Sequence, residues 1–119
     1  MPYRPIALVV EDDELQRASA AILLEGSEMD VFQCESGEAA ELILEKVGGA
    51  LCFLFTDVNL AGSTTGVDLA NLAIARYPQM RVIVTSGHEA PPLPPGARFM
   101  KKPWDSLELL REANEACAH

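Results

Sequence analysis

The sequence predicts an α/β domain: a doubly wound, five-stranded parallel sheet with helices on both faces and a fourth helix that is short or missing. Three observations lead there. Short, unbroken apolar runs such as Ile6-Ala7-Leu8-Val9-Val10 and Phe53-Leu54-Phe55 end at polar or turn residues, as strands covered on both faces require. Between these runs lie segments whose apolar residues recur at helical spacing. And 119 residues, 49% of them hydrophobic, suffice for one core of ordinary size and exclude a disordered chain. No internal repeat or linker marks a second domain, so residues 1–119 read as one.

Taken in order, Ile6 to Val10 is the first strand, and it stops at Glu11-Asp12-Asp13-Glu14. Asp13 or Asp12 caps a helix over about 14–25, where Leu15, Ala18 or Ser19, Ile22 and Glu25 follow helical spacing and Gly26 is the stop. Met29 to Cys34 is a weaker strand. Ser36 caps a helix over about 37–47, with Ala39, Ala40, Ile43 and Val47 on one face and Gly48-Gly49 closing it. Leu51 to Thr56 is the third strand. Thr65 or Gly66 starts a helix to about Tyr77, with Val67, Ala70, Ile74 and Tyr77 inward and Pro78 beyond its end. Met80 to Thr85 and Ala97 to Met100 are the last two strands. Trp104 or Asp105 opens a final helix with Leu107, Leu110 and Cys117 among its apolar positions.

One segment breaks the alternation. Pro91-Pro92-Leu93-Pro94-Pro95 cannot run as an α-helix, because each proline removes an amide donor and biases the residue before it away from helical angles. The crossover between the last two strands is therefore expected to be an extended loop. It reads better as a rigid replacement for a helix than as a polyproline ligand for a partner.

Composition narrows the function. The formal net charge is −9, with 18 acidic against 9 basic residues, which works against nucleic-acid binding through phosphate neutralisation. No apolar run is long enough to span a membrane, and Met1-Pro2-Tyr3-Arg4-Pro5 is no signal peptide. The expectation is a soluble, intracellular protein. Cys34, Cys52 and Cys117 are odd in number, widely spaced and without a C-x-x-C pair, so all three are expected to be reduced thiols packed as small hydrophobes.

The chemistry gathers where strands end. Glu11 and Asp12 follow the first strand, Asp57 the third, Thr85 ends the fourth, and Lys102 follows the fifth. Ligands bind at the carboxyl edge of open parallel sheets, and the first, third and fourth strands of a doubly wound sheet are neighbours. Taken alone, Asp57 is equally well explained as a turn cap, Thr85 as a strand-end residue and Lys102 as a solvated lysine. Capping likewise uses only one or two of the four acids. Jointly placed, clustered carboxylates facing one lysine suit a hard cation such as Mg²⁺ and the chemistry of phosphoryl transfer. The pair of acids is Glu11-Asp12 or Asp12-Asp13, and Lys102-Pro103 allows a cis peptide.

Val9-Val10-Glu11-Asp12, Thr56-Asp57-Val58-Asn59, Val84-Thr85-Ser86-Gly87 and Phe99-Met100-Lys101-Lys102-Pro103 together resemble the motifs of two-component response-regulator receiver domains, in the same order and across essentially the whole chain. The resemblance implies a flavodoxin-like sheet of order 2-1-3-4-5. It implies that Asp57 is the phosphoacceptor, and that Asp12, Asp57 and the Asn59 carbonyl bind Mg²⁺ with Glu11 assisting through water. Thr85 and Lys102 would contact the phosphoryl oxygens, and Phe99 would be the switch aromatic. The proline-rich interval between Thr85 and Lys102 is shorter than in typical receivers, so the signalling face is expected to differ from theirs.

The leading expectation is a stand-alone receiver in a phosphorelay, in a prokaryotic cytoplasm, not an enzyme beyond its own phosphorylation and dephosphorylation. A histidine kinase or phosphotransfer protein would donate to Asp57 and an unknown downstream protein would receive the signal, the receiver itself being a monomer or weak dimer. The competing class is an interaction module that signals without phosphate. A flavin phosphate site is disfavoured by repulsion from Glu11 to Glu14. A dehalogenase-type phosphatase lacks its second acid, since Asn59 stands there.

Overall fold

The computed structural model describes residues 4–118; the start, Met1 to Tyr3, which was read as no signal peptide, lies outside the described residues. Five strands, β1 (Ile6–Val10), β2 (Asp30–Cys34), β3 (Leu51–Asp57), β4 (Arg81–Ser86) and β5 (Ala97–Lys101), form one sheet of order β2-β1-β3-β4-β5. All pairings are parallel. Four helices connect or follow them: α1 (Glu14–Glu25), α2 (Gly37–Val47), α3 (Gly66–Arg76) and α4 (Ser106–Ala116). A 3₁₀ turn at Gly48–Ala50 leads from α2 into β3.

The apolar runs are continuous because successive side chains serve two cores. Ala7 and Val9 of β1 join Phe53, Phe55 and Ile83 beneath α1 and α4. Leu8 and Val10 join Leu54, Val82 and Val84 beneath α2 and α3. Each fully buried side chain of this size contributes about 1.5–3 kcal/mol relative to exposure. Helix starts are capped locally: Asp13 accepts from the Gln16 amide, Ser36 from Ala39, and Asp105 from Leu107. Thr65 and Asp68 cap α3 reciprocally.

In two helices some of the larger apolar residues face solvent. In α1 the buried residues are Ala20, Ala21 and Leu24, while Leu15 and Ile22 are 80% and 67% exposed. In α4 Leu109 and Ala113 are buried and Leu107 is exposed. Small alanines fill part of the inward face of each helix, while Leu15, Ile22 and Leu107 stand outside it. In α3, Leu69 and Ala73 join Ala70 as the buried set, with Ile74 and Tyr77 partly buried beside them. In α2, Leu44 joins Ala40.

The proline segment carries no helix, as expected. Leu93 packs against the second core from this loop, and the Pro94 carbonyl accepts from the Ala97 amide as β5 begins. Among the described residues the sheet therefore has four helices.

The cysteines depart from expectation. Cys52 of β3 and Cys117, just beyond α4, form a disulfide across a sequence separation of 65, with Cα atoms 5.5 Å apart. Both belong to the α1/α4 side of the sheet, so the fold brings together two thiols that spacing alone could not pair. Cys34 remains free. At the other side of α4, Glu112 pairs with both Arg81 and Arg98, fastening the helix to β4 and β5.

Candidate phosphoacceptor site

The strand order places the ends of β1, β3 and β4 side by side, and each end carries a polar residue where the apolar run stops. Glu11 follows β1 and is held by its backbone: its amide donates to the Cys34 carbonyl and its carbonyl accepts from Arg17 Nη1 at 2.9 Å. Asp57 ends β3 in register with Thr85 of β4. The chain then loops out over residues 58–65 and returns to the strand end, where the Gly66 amide donates to the Val58 carbonyl and the lack of a Cβ lets Gly66 lie against the Asp57 carbonyl.

Glu11 and Asp57 are both buried, whereas Asp12 is exposed. Ligand-type oxygens of the three lie within 4.8 Å of one another. Lys102 reaches this cluster from the far side of the sheet. Its Nζ donates to Glu11 Oε1 at 2.7 Å and to Asp57 Oδ2 at 3.2 Å. The backbone amide of Lys102 donates to the Ser86 carbonyl, and the Lys102-Pro103 peptide is cis. Lys101 is exposed and takes no part in these contacts.

Burial pushes the Glu11 carboxyl above the usual carboxylate range, and the nearby Asp57 charge adds to this against the pull of Lys102 and the Asp13 amide. Burial alone would lower the Lys102 pKa. The bond to Glu11, together with the charge of and bond to Asp57, outweighs it and holds the ammonium above its ordinary value. The ammonium is thus firmly charged, and it is the counter-charge of a crowded acidic pocket.

Of the residues singled out from sequence, the structure gathers Glu11, Asp12, Asp57 and Lys102. Asp13 stands apart as the cap of α1, though its amide donates to Glu11 Oε2 at 3.1 Å. Asn59 has an exposed side chain, and its amide approaches Asp57 Oδ1 at 3.4 Å. Thr85 is buried beside Asp57 in the ladder, but its hydroxyl donates to the Met100 carbonyl of β5 at 2.6 Å. Phe99 lies on β5 opposite Val84, half-buried. Arg17 and Glu38, which brace the site's loops, were not singled out. Glu38 bonds residues 25 and 26 positions away, and Arg17 reaches back six residues to a backbone carbonyl, contacts that no local motif marks.

The donor set fits Mg²⁺: three carboxylates, all hard oxygen, with one of them open to solvent so that bound water can be kept. Glu11, Asp12 and Asp57 are the side chains able to hold it.

Comparison with known proteins agrees with this geometry. The family model for the response regulator receiver domain matches residues 7–114. The chain is 34% identical over 116 residues to the transcriptional regulatory protein FixJ of Azorhizobium caulinodans, covering 92% of this chain and 54% of that protein. It is also 34% identical over 110 residues to a cyclic di-GMP phosphodiesterase of Thermotoga maritima, covering 87% of this chain and 28% of that one. The chain thus spans about half the length of the first relative and little more than a quarter of the second. A response regulator receiver protein from Sinorhizobium medicae superposes with a TM-score of 0.88 at 22% identity, over 96% of this chain and 94% of that one. The receiver domain of the hybrid histidine kinase CckA superposes with a TM-score of 0.81 at 29% identity, over 95% and 99%. With the motifs, the sheet order and the acidic pocket all in place, the chain belongs to the response regulator receiver domain family of two-component signalling.

Proposed function

We propose that the protein is a phosphorylation switch in which Asp57 accepts a phosphoryl group from the phosphohistidine of a histidine kinase or phosphotransfer protein. One observation carries this reading: Lys102 bridges the two buried carboxylates, Glu11 and Asp57, at the carboxyl edge of the sheet. A structural ion pair has no need of a third carboxylate at the same point, nor of a solvent-facing opening.

In the transfer, an Asp57 carboxylate oxygen forms the new O–P bond while the P–N bond to the donor imidazole breaks and its electron pair stays on the imidazole nitrogen. Mg²⁺, held by Asp12, Asp57 and the Asn59 carbonyl with Glu11 nearby, would offset the negative charge on the phosphoryl oxygens. Lys102 is within reach of Asp57 already and supplies a fixed positive charge to the same oxygens. Thr85 offers its hydroxyl once it leaves the Met100 carbonyl, and Phe99, one residue before that carbonyl on β5, repacks in consequence. The added charge thereby biases a two-state element at the β4–β5 side of the sheet, where the proline crossover replaces a helix. A changed surface there alters binding to a downstream protein.

The donor's approach is supported by a groove opening beside Lys102, lined by Leu15, Gln16 and Ser19 of α1 with Pro103 and Trp104. Because Lys102 itself forms part of the wall, a protein seated there lies next to the phosphoacceptor.

Intact mass of the protein with Mg²⁺ and acetyl phosphate or phosphoramidate, beside Asp57→Asn, tests the proposal. A phosphoryl adduct on wild type alone supports it. Equal labelling of both proteins, or none of wild type with Mg²⁺ bound, overturns it in favour of a module that signals without phosphate.

A further inference from the structure

The loop between β3 and α3 carries Asn59, and nothing in its own sequence stiffens it: Gly62-Ser63-Thr64 is short-chained, polar and exposed or half-exposed. Its support comes from α2. Glu38 Oε2 accepts from the Ser63 amide at 2.9 Å, the Ser63 hydroxyl at 3.0 Å and the Thr64 amide at 3.2 Å. One turn later, Glu41 Oε1 accepts from the Thr64 hydroxyl at 2.7 Å. Ala61 pairs with Ser36, the residue that caps α2. Gly62 has φ +87°, and a side chain there would meet the Glu38 carboxylate.

These contacts bear on a short span. Asn59 is tied on one side to Asp57, and Leu60 packs against the second core. On the other side Ala61 to Thr64 is clamped to α2, before Thr65 caps α3. The Asn59 carbonyl therefore sits between two fixed points, one of which is set by the first turn of α2. A carboxylate in a helix's first turn gains from the dipole wherever it points. Here it is turned onto the loop instead, where one carboxylate oxygen gathers two backbone amides and a hydroxyl.

We propose that Glu38 is a positioning residue for the Asn59 carbonyl, clamping the loop that presents it so that α2 sets the affinity of the acidic pocket for a divalent cation. The inference rests on the Mg²⁺ site of the proposed function. It makes α2, which contributes no ligand, part of what tunes that site.

Calorimetric titration of the metal-free protein with Mg²⁺ at physiological ionic strength tests it, with hydrogen exchange at Ser63 and Thr64 as a second readout. Glu38→Ala removes both charge and acceptor; Glu38→Gln removes the charge but keeps a carbonyl acceptor. The expected result is that Glu38→Ala binds Mg²⁺ about 5–10-fold more weakly and exchanges the two loop amides faster, while Glu38→Gln recovers most of the affinity. Equal weakening in both variants would mean that Glu38 acts through its charge alone, and wild-type affinity in a folded Glu38→Ala would mean that the clamp is idle; either overturns the inference. Failure of wild type to bind Mg²⁺ sinks the metal reading itself, and is told apart because no variant is then needed to see it.

Discussion

The Thr85 hydroxyl donates a hydrogen bond to the carbonyl oxygen of Met100, 2.6 Å away across the β4–β5 ladder. The hydroxyl that would serve a phosphoryl group on Asp57 is therefore engaged with the strand that carries Phe99. Exchanging one partner for the other is a way for charge at Asp57 to be felt on β5. Thr85→Val keeps the volume and β-branching and deletes only the hydroxyl. It should cost about 1–2 kcal/mol of stability and still allow the Asp57 adduct, but the Phe99 ring resonances should no longer shift on phosphorylation. A full shift in the variant would remove Thr85 from the switch.

Lys102 presents a paired expectation of opposite sign. Its ammonium now occupies the charge-balancing position that a divalent cation would share. Lys102→Ala should therefore bind Mg²⁺ more tightly by calorimetry, while the rate of Asp57 labelling by acetyl phosphate falls by about 10²-fold or more. Loss of both together would indicate that the pocket collapses without the lysine, and circular dichroism would register that collapse.

The Leu15 side chain stands in solvent at the groove beside Lys102. Leu15→Glu should leave labelling by acetyl phosphate unchanged and slow transfer from a phosphorylated protein donor by about tenfold, the scale of one lost interface contact worth about 1.4 kcal/mol. Equal slowing of both would place the effect in the pocket rather than at the donor.

Acid stability should report on Glu38. Its folded pKa, about 2, lies below the ordinary carboxylate value of 4.5. Its contribution is thus fully present above that ordinary value and is lost as pH falls through the folded one. In guanidinium titrations, wild type should exceed Glu38→Gln in stability at neutral pH, and the difference should shrink as pH is lowered through that window. A difference independent of pH would contradict the assignment.

The disulfide gives a thiol count as well as a stability. Closing a 65-residue separation constrains the unfolded chain by about 4 kcal/mol in the chain-entropy account, so Cys117→Ser or reduction should lower unfolding stability by that order. Under non-reducing conditions one free thiol, Cys34, should titrate, and slowly, because burial pushes its pKa up to about 11. Three rapidly reacting thiols in the native protein would refute the cross-link.

Much of this was legible in the residues because the signals were local. Strand-length apolar runs, caps such as Ser36 and Asp105, and the prolines at 91–95 each act on their own neighbourhood, and the fold obeyed them. The pocket was legible because parallel strands deliver their carboxyl ends to one edge. What escaped was set by packing between distant segments. The helical spacing of Leu15 and Ile22 marked α1 but not its buried face, which is Ala20, Ala21 and Leu24. Cys52 and Cys117 meet only because β3 and α4 share a face. Glu38 finds its partners 25 and 26 residues away, where no spacing rule reaches.

The bond between Cys52 and Cys117 also changes what a broken chain would be. A backbone cut anywhere between them, the proline crossover included, yields two polypeptides that stay one covalent molecule until a reductant is added. The crossover can therefore be opened by protease while α4 remains tied to the strand that bears Asp57. The nicked and reduced-nicked forms then separate two roles: continuity of the chain through the crossover, and attachment of the last helix.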